Sequence, residues 1–305
     1  MLIATLAFLA SALQPEPTRA PAACQAHAGP RATGEDAGEA ARTGAAAASE
    51  AGTRPEGAPA PGQSVRLVGD ASVKPTRLDS GEYRVPDLGL VIEAPLPAGY
   101  PAPTPPGMIE LKTYPEVRRA EYSAKGSSNF GMNVGFWPLF NHIKEREIEM
   151  TSPVEMDYRP AGERTPLTPM KDAEGSWTMS FLYRTADLGP TGEDGRVKVL
   201  DNPEMTGVSI GMRGPYGMGT VNAGLEELQK WFAGQSDWEP VGDPRGLNYN
   251  GPQVRMRDKW SEVQVQVRRK AKAAAGAAPA GQSPAGSAPS GAVPAAPVAP
   301  SASAH

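Results

Sequence analysis

The run F-W-P-L-F-N-H-I at 136–143, followed four residues on by I-E-M-T-S-P-V at 148–154, decides how this chain is read. Phe136, Leu139, Phe140 and Ile143 recur at helical spacing, so 133–145 reads as a helix with one apolar stripe. At about 100° per residue, Val134, Trp137 and Asn141 point away from that stripe and His142 lies on its flank. Pro138 fits if the helix begins only a residue or two before it, since a proline in the first turn forfeits no internal bond. The stretch 148–158 then reads as a strand.

Working outward, 109–123 reads as extended with Pro115 breaking it, and 176–184 as a further strand. The pattern then repeats. Residues 208–213 read as a strand, and 220–233 as a helix with Val221, Leu225, Leu228 and Phe232 on one face, stopped by Gly234. Residues 248–250 and 261–267 read as strands, the latter alternating Val with polar residues. Each half is strand, helix, strand, strand. The fold class is therefore α+β, with an internal pseudo-twofold repeat and a sheet packed under two helices.

The flanks are different material. All five Trp and ten of the eleven Met lie between Met108 and Trp260, whereas 13–62 contains no Phe, Trp, Tyr, Ile, Val or Met. Such a segment cannot bury enough apolar surface to offset its ordering entropy, so 15–63 is expected to be a disordered linker. The same holds for the Ala/Pro/Ser-rich tail 271–305. Residues 64–106 are Pro- and Gly-rich with one plausible strand at 88–94, a weakly structured lead-in to the domain at 107–270. Residues 1–14 carry a short apolar run and then Ala10-Ser11-Ala12, which fits a signal peptide and hence export to a periplasmic or extracellular space. That run is too short to span a bilayer, so no integral membrane span is expected. The net charge of -4 and the lack of a Lys/Arg run give no support to nucleic-acid binding. The single cysteine, Cys24, excludes an intramolecular disulfide and a cysteine-built zinc site.

With these elements placed, the sequence resembles the SOUL haem-binding family. F-W-P-L-F-N-H-I and I-E-M-T-S-P-V are similar to that family's helix F-x-x-L-F-x-Y-I and its strand ending I-x-M-T-x-P-V. I-E-L-K-T-Y (109–114), N-Y-N-G-P (248–252) and W-S-E-V-Q-V-Q-V (260–267) resemble three further family segments, in order. The resemblance implies a distorted β-barrel flanked by two long helices, like the effector-binding domains of some drug-sensing regulators. It also implies non-covalent binding of haem or porphyrin in an open apolar groove beside the first helix. Two departures stand out. Only K-E-R-E (144–147) joins the helix to the next strand, where the family usually has about twice as many residues. Thr113 occupies the place at which some members carry an axial histidine.

Candidate contacts follow on both grounds. Trp137, with Val134 and Asn141, is either part of a binding surface or packed beneath a loop or the lead-in. His142 is a surface histidine, a propionate contact or an iron ligand. Arg255, in V-R-M-R-D-K-W (254–260), falls where some family members carry a lysine that meets a propionate; otherwise it belongs to a solvated turn. Met132, Met150 and Met156 are core fillers, soft groove walls or axial ligands, with core packing the default for each. No enzyme motif is present, no metal site is read, and no ligation mode for haem is fixed. The non-enzymatic reading has three rivals: binding of another amphipathic small molecule, an enzyme using Glu149 or Glu155, and a protein-interaction domain with an unknown partner.

Overall fold

A computed structural model of the chain describes residues 54–162, 164–172 and 175–271. The expectations for 1–14, for most of 15–63 and for nearly all of 271–305 lie outside the described residues. Along the chain the elements are β1 (Ser64–Val68), β2 (Thr76–Arg77), β3 (Tyr83–Val85), β4 (Leu90–Ile92), β5 (Ile109–Tyr114), β6 (Val117–Lys125), α1 (Ser128–Glu145), β7 (Val154–Arg159), β8 (Ser176–Leu182), β9 (Gly192–Asp194), β10 (Val197–Asn202), β11 (Met205–Arg213), α2 (Met218–Ala233), β12 (Trp238–Asn248) and β13 (Trp260–Arg269).

Ten strands form one sheet in the order β1-β5-β11-β13-β12-β7-β8-β6-β10-β9, and every pairing in it is antiparallel. The expected barrel is replaced by an open sheet. Its edges are the short strands β1 and β9, and no pairing among the described residues joins them, which closure requires. Within it, β11-β13-β12 and β6-β8-β7 share one internal order, each with its helix between its first and second strand, and they abut at β12 and β7.

Both faces of this sheet are buried. On one, Leu139 and Ile143 of α1 and Val221, Leu225 and Leu228 of α2 pack with Val208, Met156, Val263 and Val265. Each such side chain, fully removed from water, contributes about 1.5–3 kcal/mol. Against the other lie Leu96 and Tyr100, from the stretch read as a weakly structured lead-in, packed with Tyr114, Leu247, Tyr249 and Trp260. That stretch is more ordered than its composition suggests. It contributes β1 to the sheet edge and a separate three-stranded sheet, β2-β3-β4. Its short strands are fixed by what they pack on rather than by local propensity.

Three further differences have local causes. β12 runs from Trp238, far ahead of the expected 248, because its prolines and glycine read as loop, yet Pro240 pairs with Val267, and Gly242 and Pro244 sit at a bulge between Val241 and Arg245. The β9–β10 hairpin was not expected at all; its turn uses Gly195 at φ +60°. α1 begins at Ser128, not within two residues of Pro138, so the proline lies inside the helix and its missing N–H leaves the Val134 carbonyl without its usual helical donor.

Candidate functional site

The site is built on α1. A carboxylate from a distant loop caps its start: Asp172 accepts from the backbone N–H of Ser128 at 2.9 Å and of Asn129 at 3.3 Å, and from the Ser127 and Ser128 hydroxyls. Burial opposes ionisation of Asp172, but these bonds outweigh it and hold its carboxyl below the usual range. The helix is then pressed onto the sheet by two glycines. A methyl group added at Gly131 would lie 2.1 Å from Cζ2 of Trp177, and one at Gly135 would lie 3.0 Å from Cζ3 of the same ring. Gly131, Gly135, Leu139, His142 and Ile143 thus face inward.

Opposite them, Val134, Trp137, Asn141 and Lys144 form one exposed stripe at i, i+3, i+7 and i+10. Trp137 is 51 % exposed yet not isolated. Its ring meets Phe136 edge-on at 5.6 Å and Phe140 edge-on at 6.0 Å, while Phe136 stacks on Phe140 at 5.6 Å and rests on Phe181 of β8 at 5.4 Å. Phe136 and Phe140 of the apolar stripe and the outward Trp137 form one continuous aromatic surface, anchored below on Phe181 and open above, while Leu139 and Ile143 turn into the core. Met132 and Met150 pack partly buried against the core, and Met156 is fully buried within it.

The remaining sequence candidates lie elsewhere. His142 is buried, not on an open flank: three residues beyond Leu139, it shares that residue's inward face. Its Nδ1 lies 2.6 Å from Asp194 Oδ2 and its Nε2 lies 2.8 Å from the Tyr183 hydroxyl, so neither ring nitrogen is open. The bond from His142 and the charge of Arg146, 2.8 Å away, together keep the Asp194 carboxyl below its usual range against desolvation. Arg255 occupies the turn between β12 and β13, paired with Asp258 at 2.7 Å, and among the described residues it makes no ion pair or hydrogen bond to α1. Thr113 is buried in β5, its hydroxyl 3.1 Å from that of Thr206. Glu149 is exposed. Glu155 is buried on the sheet face turned away from α1, held by Arg119 at 3.2 Å, Arg245 at 3.3 Å and the Tyr100 hydroxyl at 3.2 Å.

That far face carries the polar groups the sequence reading missed. Lys112 and Glu262 pair at 2.8 Å, and Gln264 accepts from Arg245 and donates to Tyr114 and Ser209. The polar positions of β13 look solvent-facing in the sequence; only the cover supplied by 95–106 makes them interior, and that cover has no local signal.

The stripe on α1 is a surface rather than an enclosed pocket. An open cavity of about 500 Å³ is lined by Leu67, Trp231, Gln235, Asp237 and Trp238, and a cavity of about 10 Å³ by Tyr158, Met170, Trp177 and Met218. Neither includes Trp137 or Arg255. The aromatic chemistry is nonetheless on α1, since both Trp231 and Trp238 are largely covered by their own surroundings. Among the described residues no group of three or more His, Cys, Asp or Glu side chains is placed to hold a metal ion, and no helix is long and apolar enough to cross a membrane.

Two helices on one face of an open antiparallel sheet, with an exposed aromatic stripe on the first, define an α+β domain with one open aromatic surface. The chain belongs to the SOUL heme-binding protein family, whose model matches residues 102–266. No curated protein matches the chain in sequence. Among solved structures it is similar to the EcmrR C-terminal domain, at 14% identity and TM-score 0.43 over 52% of this chain and 96% of that one. It is also similar to a hydrolase from Listeria innocua, at 13% identity and TM-score 0.40 over 54% of this chain and 93% of that one.

Proposed function

We propose that this domain binds haem or a related tetrapyrrole on the exposed stripe of α1, without a chemical step of its own. The observation that carries the reading is Trp137, half exposed and braced edge-on by Phe136 and Phe140, together with family membership. A rigid aromatic platform favours a planar ligand, because stacking adds to burial and costs little side-chain entropy. Lys144 lies seven residues beyond Trp137 on the same stripe, roughly 10 Å along the axis, and is suited to meet a carboxylate at the ligand's edge. Asn141 lies between them as a neutral donor.

The residues fit the macrocycle better than its metal. Bound haem would supply its own iron chemistry, but both nitrogens of His142 are engaged and Thr113 is interior, so neither of these two positions offers an open axial ligand. This favours a second reading alongside the first: an iron-free or otherwise unrelated planar amphiphile binds the same stripe.

Parallel titrations with haem and with its iron-free porphyrin, followed by absorbance, separate the two. Both ligands are expected to saturate with similar affinity, and Trp137→Ala to weaken each by roughly tenfold or more, the scale of a lost aromatic contact of about 1.5 kcal/mol. His142→Ala is expected to leave ligand affinity nearly unchanged. Saturation by neither porphyrin, or undiminished binding by the Trp137 variant, refutes the reading.

A further inference from the structure

The motif V-R-M-R-D-K-W takes no part in the α1 stripe. It forms the turn between β12 and β13, closing in a short 3-10 segment, Met256–Asp258. Three guanidinium groups converge there on one carboxylate. Asp258 lies 2.7 Å from Arg255, 2.9 Å from Arg213 and 3.8 Å from Arg257. The Arg255 and Arg257 side chains are 71% and 74% exposed, against 20% for Asp258. Arg213 is fixed by donating to the Leu88 carbonyl at 3.1 Å and the Arg257 carbonyl at 3.2 Å. Between the two outer arginines stands Met256, 56% exposed, the most exposed large apolar side chain among the described residues. Lys259 is turned inward, over the Tyr216 ring.

Arg213, Arg255, Arg257 and Lys259 face three carboxylates, Asp258, Asp87 and Glu93, so a net charge of one positive remains, carried outermost by the exposed Arg255 and Arg257. Asp87 and Glu93 border the turn, but neither is ion-paired among the described residues, and Glu93 accepts from Gln253 at 2.7 Å. A soluble anion would engage the arginines and leave Met256 without a role. A lipid surface engages both: headgroup phosphates accept from the guanidiniums, and the thioether enters the boundary of the acyl chains. We propose that the turn at 252–259 docks this domain on anionic membrane surfaces. The chain as a whole is negative, so the attraction is local, acting within a Debye length of about 8–10 Å and weakening with salt.

Sedimentation of the full chain with vesicles tests this directly. Binding is expected to phosphatidylcholine vesicles containing phosphatidylserine, and not to phosphatidylcholine alone, and to decline as salt rises from about 0.1 M to 1 M. Each of Arg255→Gln and Arg257→Gln should weaken it about fivefold. Met256→Glu should also weaken it with all three arginines in place. These side chains are exposed, so an unchanged circular dichroism spectrum shows that each variant is folded. Trp137→Ala should bind vesicles as the unaltered chain does, which keeps this surface separate from the α1 stripe. Equal binding to both vesicle types, or none to either, overturns the proposal. So does an unaltered Met256→Glu variant, which would assign the arginines to a soluble anion, to be read by titrating inorganic phosphate.

Discussion

Lys112 and Glu262 meet at 2.8 Å with neither side chain reaching solvent, and the surrounding chain completes both. Lys112 also donates to the Ala102 carbonyl at 2.7 Å; Glu262 also accepts from the Thr104 N–H at 2.7 Å and the Tyr249 hydroxyl at 2.6 Å. Burial alone would raise the Glu262 pKa, but the charge of Lys112 and the hydrogen bonds outweigh it and hold the carboxyl below its usual value. Its contribution to stability is therefore present above the unfolded pKa of about 4.3 and is lost as pH falls through the native one. For Lys112, burial works downward but Glu262 and its neighbours hold the ammonium above its usual value. That contribution is present below about 10.4 and lost as pH rises through the native pKa. Lys112→Met strands a buried carboxylate and should cost about 3–5 kcal/mol at neutral pH. Once alone, Glu262 is pushed upward by burial, so acidification should narrow the gap between variant and parent. Urea unfolding at pH 7 and pH 5 reads both effects; a cost below about 1 kcal/mol, or a gap that does not narrow, would show that the pair does not act as described.

Among the elements, α2 was legible almost to its ends, 220–233 against Met218–Ala233, because its signals are local: an apolar face and a terminal Gly234. α1 was legible in its body but not at its start, since its capping carboxylate comes from residue 172 and no nearby residue announces it. No local pattern marks Gly131, and its reason is tertiary: the Trp177 ring occupies the space a methyl would need. This makes a signed comparison between two helical glycines. Alanine is the better helix former by about 1 kcal/mol, and an added methyl at Gly219 in α2 would meet nothing within 4 Å. Gly219→Ala should therefore raise the melting temperature. Gly131→Ala should lower it, by about 1–3 kcal/mol of stability, because a large buried ring must shift to admit the methyl. Thermal unfolding of both variants decides the matter, and stabilisation by Gly131→Ala would mean that α1 does not sit this close to the sheet. The α1 stripe was half legible in the same way. Spacing identified Val134, Trp137 and Asn141 as outward, but it could not show that β8 would lift Phe181 beneath Phe136, nor that Asp194 and Tyr183 would enclose His142.

For the molecule as a whole, the family match begins at residue 102, while the packing begins much earlier. The far face of the sheet is closed by chain that precedes the match. Leu96 and Tyr100 pack on Leu247, Tyr249 and Trp260, the Ala98 N–H donates to the Arg184 carbonyl at 2.9 Å, and the Ser152 N–H donates to the Pro95 carbonyl at 2.9 Å. Trp260 in turn donates from Nε1 to the Thr104 carbonyl at 2.7 Å. Composition hid this, because proline and glycine usually mark turns, and a segment that only follows another surface needs no periodicity of its own. A chain beginning at Gly107 would keep both helices and nine of the ten strands of the main sheet, yet uncover that face. Lys112, Glu262 and Gln264 would meet water, and Tyr114, Leu247 and Trp260 would lose their apolar cover. Such a chain should unfold at far lower urea than the full chain, bind hydrophobic dyes, and show tryptophan emission shifted to the red. An unfolding midpoint equal to that of the full chain would instead show that the two helices and the sheet are sufficient alone, and that 54–106 rests on the domain without helping to hold it.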